Sequence, residues 1–365
     1  MKLVLLGDGE SPHLLKWARA LAPRVELYAA STRGFLPGLE ELLSRERRLA
    51  LDTRPAFAGG NVAVLQSLPR LAHWLAGVQP DWVHAHYLTS HGTLAWLARL
   101  LWRQRYAIVG SAWGSDILVT PQRHPTLRWL TQRVLHACAL TTSDSLHMAD
   151  RMRELGATEV MSFPFGLETL PAPPGRKDEH LVFANRGLEP IYAPQRVLQV
   201  FGAIAAHWPD ARLVVANDGS LRPALEQQVL ALGLDARVRF VGRLDATAQA
   251  QWYQQARWYL SLPVSDSVSV SVLEAMAHGC IPLLSDLPAN RELVSDGSNG
   301  LILGGGQFPA PPELERLAQR AAYVAARNHD WVARQAMFEP AVERFVARLH
   351  ALDSRGALRM GGWAP

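Results

Sequence analysis

Apolar residues in this chain fall into two alternating patterns: short unbroken runs, and longer stretches in which they recur every three or four positions. In the first half, runs at 3–6, 25–29, 82–85, 107–110, 140–142 and 160–163 predict buried strands, and the periodic stretches 12–21, 92–102, 126–137 and 145–155 predict helices. Strand–helix alternation of this kind builds a parallel sheet covered on both faces. The segment FPFGLETLPAPPGRKDEH (163–180) breaks the period with four prolines and two glycines and reads as a linker. The alternation then restarts, with strands expected at 181–184, 213–216, 238–241, 258–262, 281–284 and 300–303. Helices are expected at 195–206, 221–232, 246–256, 272–278 and 311–327. The last periodic stretch, 331–352, contains Pro340, which predicts a kink or a split.

The domain expectation is therefore 1–165, a linker 166–180, a second domain 181–330, and a C-terminal helical segment 331–365 returning toward the first domain. The fold class is α/β: two doubly wound, Rossmann-like domains facing across a cleft. In open sheets of this kind, ligands gather at the carboxyl ends of the strands.

One stretch reads two ways. SDSVSVSVLEAMAHG (Ser265–Gly279) alternates like a half-buried strand and then becomes a run of helix formers stopped by glycine. The strand reading does not explain the direct passage into LEAMAHG. The loop-to-helix reading does, with Gly279 just past the helix and Pro282 preventing its continuation. Small residues at Ser267, Ser269 and Ser271 then allow close backbone approach. The first N–H groups of the helix, which follows a loop from Pro263 to Ser271, offer an anion site suited to a diphosphate. Glu274 in the helix and Asp266 on the loop are placed for sugar hydroxyls.

The segment SDSVSVSVLEAMAHGCIPLLSDLPANRELVSDGSNGLIL resembles the donor site of glycosyltransferase family 4, retaining enzymes of the GT-B fold. The family's acidic residue, seven positions and Glu correspond to Asp266 and Glu274, followed by Gly279, Pro282, Glu292, Gly297 and Gly300. Asp266 stands where Glu is usual. The resemblance extends over most of the chain. Gly9 in GDGESPHLLKWARALA holds the place of the glycine that approaches the donor phosphate. Arg186 in RGLEPIYAPQRVLQVF matches the diphosphate-binding arginine, while Ile191 and Tyr192 occupy the position of the usual lysine. That departure leaves the phosphate charge to Arg186, the helix start and Arg196. RFVGRL, with Gly242 and Arg243, resembles the strand and loop whose backbone reads the base. AWGSDIL matches a subgroup carrying Trp-Gly-Ser-Asp, so Gly114 and Asp116 would line the cleft near the reacting sugar.

The resemblance implies a glycosyltransferase with Asp116, Arg186 and Asp266 in the catalytic set. Gly9, Gly242, Arg243, Ser269, Val270, Ser271 and Glu274 would join Arg186 and Asp266 in binding the donor. It also implies attack by the acceptor on the face the leaving group departs from, with the departing phosphate as base. The co-substrate is a UDP- or GDP-linked sugar, and no other cofactor is expected. No Asp-x-Asp motif occurs, consistent with a metal-independent reaction. His84 and His86 alternate on one strand end and share a face. His86 lies nearer the carboxyl end and, with His13 and Gly114, makes the candidate acceptor side. The expected acceptor is a saccharide, a lipid-linked intermediate or another cell-envelope precursor. Two alternatives share the architecture: a nucleotide-sugar epimerase and a non-catalytic nucleotide-sugar-binding subunit.

Composition narrows this little. The 365 residues are 48% hydrophobic and 19% charged, ordinary for a globular chain. The first ten residues read as a buried strand rather than a secretory signal, and no apolar run reaches membrane-spanning length. Cys138 and Cys280 are far apart and show no metal spacing, and the chain is expected in the cytoplasm. The net charge of +4 is carried by arginine, since the lysines are Lys2, Lys16 and Lys177 alone. The basic residues form no run with interleaved aromatics, which argues against nucleic acid. Arginine and tryptophan do recur at 94–106 and 123–137, where an amphipathic helix could rest peripherally on anionic lipid.

Overall fold

The computed structural model describes residues 1–53 and 62–354. The chain divides into two compact units, Met1–Phe163 with Glu339–Pro365, and Pro164–Phe338. The first unit holds seven strands: β1 (Lys2–Gly7), β2 (Glu26–Ser31), β3 (Arg48–Ala50), β4 (Trp82–His86), β5 (Ala107–Ser111), β6 (Leu140–Ser143) and β7 (Val160–Ser162). All pair in parallel, in the order β3-β2-β1-β4-β5-β6-β7. On one face, the helices Leu68–Val78, Thr93–Leu101, Pro125–Ala137 and Leu146–Glu154 send Leu71, Leu94, Val134 and Met148 into a single core. Elsewhere Trp17 of the helix Pro12–Leu21 packs edge-on against Phe345 of the helix Phe338–Ser354, ring centroids 5.3 Å apart.

The second unit repeats the plan with β8 (Asp178–Ala184), β9 (Arg212–Ala216), β10 (Val238–Gly242), β11 (Ala256–Ser261), β12 (Ile281–Ser285) and β13 (Leu301–Leu303). Their order is β10-β9-β8-β11-β12-β13, again parallel throughout. Both sheets grow in two directions from their first strand. The order therefore reverses between β1 and β4 in one unit and between β8 and β11 in the other, where doubly wound sheets bind ligands.

Several expectations need correcting. The proline-rich stretch expected to link the domains is a strap on the second unit. Leu167 bridges to Met337, and a side chain on Gly166 would meet the Ala336 carbonyl at 1.7 Å. Lys177 Nζ donates to the carbonyls of Tyr253 (2.6 Å) and Ala256 (2.9 Å), closing the end of the helix Ala246–Gln255. Prolines here stiffen a pinned extended segment.

The helix expected over 311–327 breaks at Arg320 into Pro311–Gln319 and Ala321–Gln335. The split expected at Pro340 falls earlier, at Ala336–Met337, as the chain passes from the second unit to the first. Pro340 lies in the first turn of Phe338–Ser354, where a missing N–H costs no helical bond. Residues 355–365 of the expected terminal segment lie outside the described residues. β3 and the helices Pro37–Leu42 and Leu68–Val78 had no counterpart in the sequence reading.

Candidate functional site

The stretch Ser265–Gly279 is a loop leading into a helix. β11 stops at Ser261, the loop runs through Ser269, and the helix spans Val270–Ala277. Gly279 adopts φ +75°, the left-handed conformation that ends helices at low cost in glycine. Ser269 is the N-cap, yet it makes no side-chain cap. Its hydroxyl accepts from Arg186 Nη1 at 2.5 Å, so it does not close the first N–H groups of the helix, those of Val270 and Ser271.

Arg186 follows β8, on the other side of the strand-order reversal. Its Nη2 donates to Asp266 Oδ2 at 2.6 Å, and its guanidinium lies over the Tyr192 ring, 4.5 Å from the centroid. The residue occupying the lysine position thus supports the arginine from below as an aromatic platform. Burial works against the Arg186 charge, but Asp266 together with Tyr259, Tyr192 and Tyr253 outweighs it and holds the guanidinium above its ordinary pKa. Burial also pushes the Asp266 carboxyl up, against the pull of Arg186 and of the Ser267 N–H.

Asp266, expected to meet sugar hydroxyls, has both oxygens engaged: Oδ2 with Arg186 and Oδ1 with Ser267 N–H at 3.1 Å. Arg196, expected to share the phosphate charge, donates to the Leu303 and Gly304 carbonyls and ties the end of β13 to the helix Pro194–His207.

Glu274 sits at the fifth position of its helix, just past the first turn. A buried relay holds it. The Tyr259 hydroxyl donates to Asn185 Oδ1 (2.7 Å), Asn185 Nδ2 donates to the Tyr253 hydroxyl (2.7 Å), and Tyr253 donates to Glu274 Oε2 (3.1 Å). Gln249 Nε2 adds a contact at 3.3 Å. Burial, with Tyr259 and Glu274 nearby, raises the Tyr253 phenol well above its usual pKa, so it remains a donor. Gly242 ends β10 with its carbonyl accepting from Asn217 N–H at 2.6 Å, and the Arg243 side chain is exposed.

The first unit's strand ends are built differently. After β1, Gly9 N–H donates to Ser31 Oγ at 2.8 Å, and a side chain on Gly9 would meet the Gly34 carbonyl at 2.4 Å. Contact with the loop after β2 thus requires glycine here without reference to a ligand. His86 ends β4. Its ring is buried among those of His84 (4.4 Å), Trp17 (5.5 Å) and Trp113 (5.7 Å), and neither ring nitrogen has a hydrogen-bond partner among the described residues. The exposed His13 ring lies 4.8 Å from Trp113.

Burial keeps all three inner histidines neutral: His84 down to about 3, His91 to about 4, and His86 well below its usual value, with His84, His91 and His13 adding to the effect. His91 Nδ1 donates to the His86 carbonyl at 2.5 Å, so its Nε2 accepts from the Thr32 hydroxyl at 3.1 Å.

Beyond β4 the backbone is strained. Tyr87 has φ +73°, Leu88–Gly92 forms a π-helical turn, and Gly114 adopts φ 107°, ψ −80°. Asp116 braces this region. It is fully buried; Oδ2 accepts Leu88 N–H (2.9 Å) and Oδ1 accepts Trp113 N–H (3.0 Å). Burial pushes its pKa up to about 6 despite these bonds. Asp116 was expected to line a cleft beside the sugar. With no exposed surface and both oxygens occupied, it positions the two loops that carry Tyr87 and Trp113. Sequence reasoning missed Asn185, Tyr253, Tyr259 and Trp113 as parts of these clusters; the local cues were the adjacency of Asn185 to Arg186 and the place of Trp113 in the Trp-Gly-Ser-Asp motif.

These two parallel sheets are those of the GT-B fold. Residues 2–150 match the family model described as glycosyl transferase 4-like, and residues 178–322 match that described as glycosyl transferases group 1. The chain belongs to glycosyltransferase family 4.

Among relatives, it is 25% identical to the D-inositol 3-phosphate glycosyltransferase 2 of Catenulispora acidiphila, over 95% of this chain and 92% of that one. It is also 25% identical to the phosphatidyl-myo-inositol mannosyltransferase of Mycobacterium leprae, over 90% and 91%. Among solved structures, Anabaena Alr3699/HepE in complex with UDP shares the fold with a TM-score of 0.72 at 16% identity, over 96% of this chain and all of that one.

Proposed function

We propose that this glycosyltransferase moves a sugar from a nucleotide-diphosphate sugar, UDP- or GDP-linked, to a hydroxyl of a saccharide or lipid-linked acceptor, with retention and without a metal. The observation that carries the reading is the meeting of Arg186 with a helix start that Ser269 leaves uncapped. A fixed cation beside oriented N–H groups, at the strand-order reversal, is built for a diphosphate and for the charge that grows on it as the glycosidic bond breaks.

Donor entry exchanges the Asp266 contact of Arg186 for phosphate oxygens and frees Asp266 toward the sugar. Glu274, held as an acceptor by Tyr253, takes the ribose hydroxyls, and the Gly242–Arg243 backbone takes the base. On the first unit, His13, His86 and Gly114 form the acceptor side. Asp116 acts by positioning. Retention follows if the departing phosphate accepts the proton of the attacking hydroxyl. The UDP complex of a fold neighbour supports the nucleotide, and the names of the two relatives support polyol and lipid acceptors.

The test is release of nucleotide from a panel of UDP- and GDP-sugars with saccharide and polyprenyl acceptors, with the product anomer read by NMR. Acceptor-dependent release with the donor's anomeric configuration supports the reading. Epimerised donor without transfer, or binding without turnover, replaces it with one of the two alternatives.

A further inference from the structure

Charge is unevenly placed in the chain. Residues 93–137 carry six arginines and one acidic residue, Asp116, which is buried. With histidines neutral, this segment alone has a charge of +5, and the rest of the chain amounts to −1.

The structure puts the segment on one flank of the first unit. The helix Thr93–Leu101 lies beside the helix Pro125–Ala137; Arg99 joins them, donating to the carbonyls of Tyr106 (3.4 Å) and Ala137 (3.1 Å). Large apolar side chains that a sheet-covering helix would bury point outward here: Leu100, Leu101 and Trp102 are 51%, 61% and 42% exposed, and Trp129 is 52% exposed. Arg103, Arg105, Arg128 and Arg133 are exposed around them, with Arg133 over the Trp129 ring at 5.5 Å. None of Arg105, Arg123, Arg128 and Arg133 makes an ion pair among the described residues. No helix among the described residues is long and apolar enough to cross a membrane.

We propose that this flank, centred on Leu101, Trp102, Arg103 and Arg105 with Trp129 and Arg133, docks on the surface of an anionic phospholipid bilayer. Exposed leucine and tryptophan at a helix end enter the boundary between headgroups and chains, where an indole is favoured, while arginines beside them pair with lipid phosphates. A protein partner of ordinary composition would need a matching acidic and apolar face. A bilayer supplies both properties in one surface. The inference rests on the first unit alone and holds whether or not the donor site works as proposed.

Sedimentation with vesicles tests it, comparing phosphatidylcholine alone with a mixture containing about one-third phosphatidylglycerol. The full chain is expected to pellet with the anionic vesicles and to be released by high salt. Arg103→Gln with Arg105→Gln lowers partition about 30-fold. Leu101→Ser with Trp102→Ser lowers it about tenfold while the melting midpoint holds, since these side chains are exposed. Arg45→Gln with Arg47→Gln, exposed but outside the segment, leaves partition unchanged. Absence of binding to anionic vesicles overturns the proposal, as does equal loss in the control variant. A wild-type dimer that the Trp102 variant dissociates gives the surface to a second copy and also overturns it.

Discussion

The two strand-order reversals use the same geometry for opposite electrostatics. At the end of β8 and β11, Arg186 and Asp266 are mostly buried and ion-paired with each other, and the adjacent helix start adds positive potential. At the end of β1 and β4, the side chains are neutral and packed: three deprotonated histidines, two tryptophans and a buried carboxylate spent on backbone N–H groups. One sheet is prepared to receive charge. The other is prepared to hold a shape, with its strained turns fixed by Asp116 and the His91 bridge to Thr32.

The contrast breaks most visibly with pH. His84, His86 and His91 are held neutral in the fold and take protons on unfolding below about pH 6.5, so their contribution is intact above that value and is lost as pH falls toward 4. Asp116 has the opposite sign. Its folded pKa is raised to about 6, so protonation on the way down from neutral pH relieves the fold. Three groups outweigh one, and the first unit is expected to lose roughly 4 kcal/mol at pH 5. Peptide-resolved hydrogen exchange checks this: protection should fall in β4 and β5 and hold in β8 and β11. Equal loss in both sheets would dissolve the contrast.

Removing the brace sharpens it. Asp116→Ala leaves the Leu88 and Trp113 N–H groups buried without acceptors and should cost about 3 kcal/mol in denaturant unfolding of the first unit. Nucleotide binding in the second unit should be unchanged. A variant with normal stability and no activity would return Asp116 to direct contact with substrate. The smallest effect is expected at Glu274→Ala, which retains the fold and weakens nucleotide-diphosphate binding about tenfold by losing an acceptor for hydroxyls, read by titration calorimetry. Unchanged affinity would remove Glu274 from the ribose site.

The same contrast sets what the sequence revealed. The cluster proposed as the donor side was legible as a cluster because its parts are local: a glycine stop ending LEAMAHG, an acidic residue eight positions before Glu274, an arginine just after a strand. Its partners were not, because Tyr253, Tyr259 and Asn185 come from a helix, a strand and the residue after another strand, which meet only in the folded sheet. Strand–helix alternation gave the order of elements, but proline content misled at 163–180, where a strap pinned by Lys177 has the composition of a tether. Asp116 was expected to line the cleft because AWGSDIL resembles a family motif. Its burial depends on Leu88, 28 positions away.

The most direct measurement is a thermal-shift titration of wild type and Arg186→Ala with UDP, GDP, ADP, TDP and CMP. The account predicts that one nucleoside diphosphate stabilises the wild type in proportion to its concentration, and that the variant melts near the wild-type midpoint without that gain. Undiminished stabilisation of the Arg186 variant would contradict the claim that Arg186 and the helix beginning at Val270 form the diphosphate site.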